Sequence, residues 1–390
     1  MLKSLSDCLS LVIDRRGVTP KKLNSSWKKN GYRVLSANNV KTSGLTKLDE
    51  IRYIDESTYK KWMKNEIKRG DILLTSEAPA GEVMYWDSEE KIVAGQRIYV
   101  LRVKENINPL YLKYYLQSET GQKEIKNKCS GSTVFGISEK TFDYINVILP
   151  DEKIIQDKIA NILKIIDDRI EINNKINAQL NETLYTIYGY YILQKNIPEK
   201  FTDNKQINWT VCYLKDIFSY EKGRIPDKVF DNKSNDLIPY LTIEAVSGGT
   251  IQYCKDKNMI KSAGEVIMVM DGAASGDIYV GNYGALGSTF SQLKIKKKSI
   301  SNVLLYYILK PLVKGYKIAN TGSTVPHANK NFIGDIMVEL PDDCILEKIS
   351  DEFDKIYNQI IINNNENQEL NNLKKYLIPM LMNGQIKIGE

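Results

Sequence analysis

The sequence predicts an α+β protein built from two tandem β-rich mixed domains, each followed by a long α-helix, the two helices pairing as an antiparallel coiled coil. Three observations predict it: an internal repeat, short apolar runs bounded by turn residues inside each copy, and two seams of isoleucine and leucine at helical spacing. The repeat is clearest where GSTVFGISEKTFDYINVILP (131–150) returns as GSTVPHANKNFIGDIMVELP (322–341), with the shared GSTV and the closing Leu-Pro both displaced by 191 positions. Three further pairs keep the same order: GYRVLSANNV (31–40) with LIPYLTIEAV (237–246), GDILLTSEAPAGEV (70–83) with GEVIMVMDGAASGDI (264–278), and LYLKYYL (110–116) with VLLYYIL (303–309).

Residues 1–150 form the first domain. Its runs Ile72-Leu73-Leu74-Thr75 and Ile98-Tyr99-Val100-Leu101 read as strands, and Leu110–Leu116 as a helix. Residues 151–193 form the central helix, with Ile155, Ile159, Ile162, Ile166, Ile170, Asn173, Asn177, Leu180, Leu184, Ile187 and Tyr191 along one seam. Residues 194–208 are polar, contain Pro198 and read as a linker. Residues 209–341 form the second domain, with Val266–Val269 as a strand and Val303–Leu309 as a helix. Residues 342–390 give the second long helix and a tail, with Ile345, Ile349, Ile356, Ile360, Asn363, Asn367, Leu370 and Leu377 on its seam. Asp151 and Asp342, each following a proline, stand where a side chain caps a helix start. Asn173, Asn177, Asn363 and Asn367 fall at matching mid-seam places, where buried asparagine fixes register; the alternative is a solvent-exposed polar stretch.

Composition narrows the function. The chain has 390 residues, 42% hydrophobic and 26% charged, enough for two cores. No apolar run is long enough to span a bilayer and the first residues lack signal-peptide order, so a cytoplasmic protein is expected. The five cysteines are dispersed and read as free thiols, and His327 is the one histidine, which removes His-based triads and His-rich metal sites. The net charge of +6 is uneven: +7 over residues 1–150 and +4 over 201–341, with +9 in residues 1–69 alone. Such blocks suit a polyanion, or are simply solvated faces.

The duplicated globule-helix order, the repeated GSTV…LP frame and the terminal LNNLKKYLIPMLMNGQIKI (370–388) together resemble the specificity subunit of Type I restriction-modification systems. The resemblance covers essentially the whole chain. It implies that each globule is a target-recognition domain reading one half of a split sequence in double-stranded DNA. It also implies that the helices carry two adenine methyltransferase subunits, with restriction subunits as further partners. S-adenosylmethionine is then expected on the partner methyltransferases, and no cofactor on this chain.

Motifs for catalysis are missing. A self-sufficient adenine methyltransferase needs an Asn/Asp-Pro-Pro-aromatic loop, and no Pro-Pro occurs; Gly131–Gly136 has P-loop spacing but Ile137 stands where the lysine belongs. No catalytic or metal-binding set is expected. Alternatives remain a self-contained modification enzyme or nuclease fragment, and a coiled-coil scaffold that binds no DNA.

Candidate DNA contacts are polar loop residues. Arg15, Arg16, Lys21 and Lys22 precede the first strand signals, and Lys222 and Arg224 hold the similar place in the second copy. Arginine grips guanine edges bidentately and lysine holds phosphate. Asn38 and Asn39 suit adenine, while Thr242 and Glu244 suit a thymine methyl and a cytosine amino group. Ser132, Thr133, Ser323 and Thr324 follow glycines and suit phosphate, with turn hydrogen bonding as the alternative. His327 and Lys330 complete the set; His327 reads first as a loop hydrogen-bonder and second as a DNA contact.

Overall fold

The structure, a computed structural model, describes residues 1–130, 135–202, 206–319 and 326–386. It divides into two compact units, Met1–Glu171 with Asn367–Glu390 and Ile172–Glu366. Each unit therefore holds part of both long helices.

In the first unit an antiparallel sheet runs in the order Leu9–Asp14, Ile98–Val103, Ile72–Thr75, Val83–Tyr85. Its central strands are buried on both faces, which is why their sequences are continuous apolar runs rather than alternating ones. Ile72, Leu74, Tyr99 and Leu101 enter one core, shared with the helix Pro109–Gln117 and with Ile159, Leu163 and Ile378 of the long helices. Leu73, Ile98 and Val100 point the other way, into a core closed by Trp62, Trp86 and a second sheet. That second sheet orders Arg52–Ile54, Tyr32–Leu35 and Val93–Ala94, the last pair parallel. A clasp of Leu2–Ser4 on Asn146–Ile148 ties the two ends of the module together.

The second unit repeats the plan. Its antiparallel sheet orders Phe218–Lys222, Phe290–Ile295, Ile267–Val269 and Ile278–Tyr279. The second sheet again pairs its central strand Ile238–Leu241 parallel with Tyr283–Leu286, and Trp209–Tyr213 on Met337–Pro341 repeats the clasp. Both modules dock on long helices through a helix N-terminus. Asn108 caps Pro109–Gln117, its amide donating to Gln156 Oε1 at 3.0 Å and its side chain to Asp157 at 2.6 Å. Ser301 caps Asn302–Leu309, its amide donating to Ser350 Oγ at 3.0 Å and its hydroxyl to Asp354 at 2.7 Å.

The first long helix spans Lys153–Tyr188 and ends in one π-helical turn, Gly189–Leu193. The second spans Asp343–Met382 and runs through Pro379, so Ile378-Pro379 is not a break; Gly384, at φ +68°, follows its end. The two run antiparallel. In the second unit Asn173 meets Glu366 while Asn177 meets Asn363 and Asn364, and in the first unit Asp167 meets Lys374.

Three sequence expectations are corrected here. The buried residue of the first seam is Leu163, not Ile162, because Ile159, Leu163, Ile166, Ile170, Asn173, Asn177, Leu180 and Leu184 keep the strict alternation of four- and three-residue steps. Between Leu370 and Leu377 the second seam carries Lys374, a charge held by Asp167. The capping aspartates have other partners: Asp151 lies 3.3 Å from the N-terminal ammonium, and Asp342 accepts the Asn208 amide at 3.1 Å.

Candidate nucleic-acid interface

In the first unit the strand Leu9–Asp14 ends in a turn whose carbonyl at Arg15 accepts the Val18 amide. Arg15 Nε is buried with no hydrogen-bond partner among the described residues. Arg16 forks onto Asp14, Nε to Oδ1 at 2.9 Å and Nη2 to Oδ2 at 2.8 Å, and stacks 3.9 Å from the centre of the Tyr99 ring. Burial opposes ionisation of Asp14, but these hydrogen bonds outweigh it and hold the carboxyl below its ordinary range. Arg16 is thus already paired. Lys21 and Lys22 lie exposed on the short helix Pro20–Leu23, and Lys22 Nζ donates to the Gly17 carbonyl at 2.7 Å.

Asn39 is buried and held by hydrogen bonds within its own loop. It is 3% exposed, its Oδ1 accepts from the amide and hydroxyl of Ser36, and its Nδ2 donates to the carbonyls of Thr46 and Lys47. Asn38 beside it is exposed and lines a cleft of about 430 Å³ with Trp27, Trp62, Arg52 and Gln96. The Arg52 guanidinium sits 5.1 Å over the Trp27 ring. In the second unit Thr242 and Glu244 line a cleft of about 510 Å³ with Tyr240, Gln252 and Thr289. Thr242 caps a short helix by accepting the Ala245 amide at 3.2 Å, and Glu244 is exposed. Both clefts lie past the end of the equivalent strands Tyr32–Leu35 and Ile238–Leu241, so the paired sequence stretches arrive at equivalent places.

Two further residues gather around one acid in the second unit, with Lys330 at the neighbouring strand. Asp271 Oδ1 lies 2.7 Å from His327 Nδ1, and Asp271 Oδ2 lies 3.8 Å from Lys222 Nζ. Lys330 Nζ sits 5.1 Å over the ring of Tyr220, on the same strand as Lys222. Glu77 and Gly136 make the corresponding backbone bridge in the first unit, with Arg97 2.9 Å from Glu77. The single histidine therefore stands where the first copy has glycine. Arg224 is exposed and donates from Nη1 to the Asn258 carbonyl at 3.1 Å. Ser132, Thr133, Ser323 and Thr324 lie outside the described residues.

Trp27, Arg52 and Gln96 reach one cleft from separate segments and are not among the residues the sequence singles out as contacts; Phe135, beside the repeated GSTV, is 66% exposed.

The seam asparagines are all buried. Asn177 Nδ2 donates to Asn364 Oδ1 at 2.9 Å, Asn363 Nδ2 donates to Asn177 Oδ1 at 2.8 Å, and Asn173 Nδ2 donates to Glu366 at 2.9 Å. Among the described residues no cluster of three or more His, Cys, Asp or Glu could hold a metal, and no helix is long and apolar enough to cross a membrane.

Two copies of one β-rich module on an antiparallel helix pair, presenting polar and aromatic loops, define a duplicated recognition protein. Residues 2–182 and 206–372 match the family described as Type I restriction modification DNA specificity domain, and the chain belongs to that family. It is a specificity subunit of a Type I restriction-modification system, not a catalytic one. Among its relatives, the Type I restriction enzyme MjaIX specificity subunit of Methanocaldococcus jannaschii is 23% identical over 87% of this chain and 83% of that one. The MjaVIII specificity subunit of the same organism is 28% identical over 45% of this chain, a match that spans 42% of that protein. The crystal structure of the S subunit from M. genitalium shares the fold, with a TM-score of 0.60 at 17% identity, covering 98% of this chain and 95% of that one.

Proposed function

We propose that the chain reads a bipartite target in double-stranded DNA, one half-site per unit, and docks two adenine methyltransferase subunits on its paired helices. The observation that carries this reading is the duplication: two modules whose four-stranded sheets share one strand order but whose loops and clefts carry different side chains. Asn38 with its tryptophan cleft, and Thr242, Glu244, Arg224, Lys222, His327 and Lys330 in the second unit, are the proposed contacts. Lys21 and Lys22 hold phosphate, as do Ser132, Thr133, Ser323 and Thr324, and Arg15 and Arg16 shape the first turn beside them. Exposed apolar side chains on the helices, among them Ile165 and Tyr376 in the first unit and Ile172 and Ile362 in the second, support protein docking there. S-adenosylmethionine is bound by the methyltransferase partners rather than by this chain, restriction subunits join through those partners, and the complex works in the cytoplasm.

Reconstitution tests this. Purified chain with DNA and S-adenosylmethionine is expected to transfer no methyl group, and addition of its methyltransferase subunits is expected to give adenine methylation confined to one motif. Methyl transfer by the chain alone, or methylation whose motif does not depend on the chain, contradicts the reading.

A further inference from the structure

The second unit carries a cationic cleft, and we propose that it seats the phosphate backbone of the DNA at the second half-site. The inference rests on the DNA reading above and names the residues that would hold the strand without reading its sequence. The cleft, about 540 Å³, lies between the segment that follows the strand Phe218–Lys222 and the turn at residues 255–259. Arg224, Lys228, Lys255 and Lys257 stand in its walls with Phe230, against one carboxylate, Asp227.

The local chain explains how these cations meet. Gly223 lies so close to its neighbours that a Cβ there would come within 2.3 Å of the Gly287 carbonyl, and its amide and that of Arg224 are held by the carbonyls of Phe290 and Leu286. The turn is thereby fixed and Arg224 reaches the 255–259 turn through its bond to Asn258. Val229–Phe230 then pairs antiparallel with Gln252–Cys254, with Val229 opposite Cys254. The next residues outward on the two strands are Lys228 and Lys255. Like charges at neighbouring cross-strand places are unfavourable.

Hydrogen bonding from Ser234, and after it the charge of Lys255, holds the Asp236 carboxyl below its ordinary range. Lys228, Lys255 and Lys257 make no ion pair among the described residues, whereas the nearby Asp256 is taken by Lys261 at 3.1 Å. Lys228 Nζ sits 5.0 Å from the Phe230 ring, an aromatic floor beside the charge. Cations gathered in one cleft, three of them in no ion pair among the described residues and two at facing cross-strand places, suit a polyanion that spans it.

The first unit puts the opposite sign at the equivalent place. The strand Arg52–Ile54 stands where Gln252–Cys254 does, each antiparallel to the strand that pairs parallel with its neighbour. The next residue is Asp55 in the first unit and Lys255 in the second. Asp55 caps the helix Glu56–Trp62 and pairs with Lys28 at 3.3 Å, so that corner is closed by a helix cap and a matched pair. The cationic corner of the second unit thus has a paired carboxylate as its counterpart in the first.

The test compares the full chain with a K228A/K255A/K257A variant, each reconstituted with its methyltransferase subunits and titrated with duplex carrying the methylated motif over a range of salt. Each phosphate neutralised contributes about 0.9 to the slope of log affinity against log salt, so the variant is expected to lose roughly 2 to 3 from that slope and to keep the methylation motif unchanged. A K228R/K255R/K257R variant keeps the cations and is expected to retain the parent slope. An unchanged slope in the alanine variant overturns the cleft assignment, as does a changed base preference at one half-site, which would make these residues base readers. A parent complex with no sequence-preferring DNA binding instead overturns the reading of function itself.

Discussion

Replacing Asp167 with leucine is expected to destabilise the first unit by about 3 kcal/mol at neutral pH. Asp167 accepts from Lys113 Nζ at 2.9 Å and from the Tyr114 hydroxyl at 2.7 Å, and it is paired with Lys374 from the second long helix. Lys113 is 8% exposed, and burial pushes its ammonium down to about 8 despite the carboxylate beside it. Removing the acid leaves two ammonium groups facing each other around the Tyr114 ring, 3.8 and 5.2 Å from its centre. The pH dependence follows from the direction of the Lys113 shift. Its folded value lies below its unfolded value, so between about 8 and 10.5 the unfolded chain binds more protons and this group's contribution to stability rises with pH. In the variant Lys113 loses its proton still more readily, so the deficit is expected to shrink as pH rises from 7 towards 10. Replacing Asp167, Lys113 and Lys374 together with leucine and methionine is expected to recover most of the loss. Urea unfolding followed by tryptophan fluorescence measures this, because Trp27, Trp62 and Trp86 lie in the first unit and only Trp209 in the second. A single D167L variant as stable as the parent at pH 7 would show that the cluster is not a clamp.

Exchanging residues 1–150 for the matching segment of another family member is expected to change one half-site completely and leave the other as it was. The cores support independence: the two that hold the first module draw only on the first unit, and the two of the second module only on the second. Each base pair no longer matched costs about 1–3 kcal/mol, so three lost pairs lower affinity for the original target by roughly a hundredfold or more. The donor segment has to keep a polar cap at the place of Asn108, since Gln156 and Asp157 of the retained helix bind it. Methylation mapping of the chimera checks the outcome; a simultaneous change in both half-sites would show that the units do not read separately.

The two-copy plan is legible in the sequence because the GSTV…LP frame recurs at one offset, and the equivalent strands follow it. The buried asparagines are legible because they interrupt an apolar seam at matching places. The seam itself is misread where Ile162 and Leu163 are adjacent, since only the alternation of four and three steps decides which one turns inward. Lys374 is invisible as a seam residue because its partner, Asp167, comes from more than 200 residues away and a charge reads as solvated. The hydrogen bonds of Asn39 to Ser36, Thr46 and Lys47 are not legible in the sequence, because they depend on how its loop closes. The tryptophan cleft and the Lys228–Lys255 juxtaposition are made by strand pairing between distant segments, and single-sequence patterns carry no such pairing.

If this one chain specifies a split DNA target, a map of every methylated adenine in DNA from cells that express the chain with its methyltransferase subunits and lack other such systems shows it directly. Methylation is expected at one motif made of two short defined half-sites at a fixed separation, with no base preference between them. A continuous motif, or an unaltered motif when the chain is replaced by another specificity subunit, would contradict it.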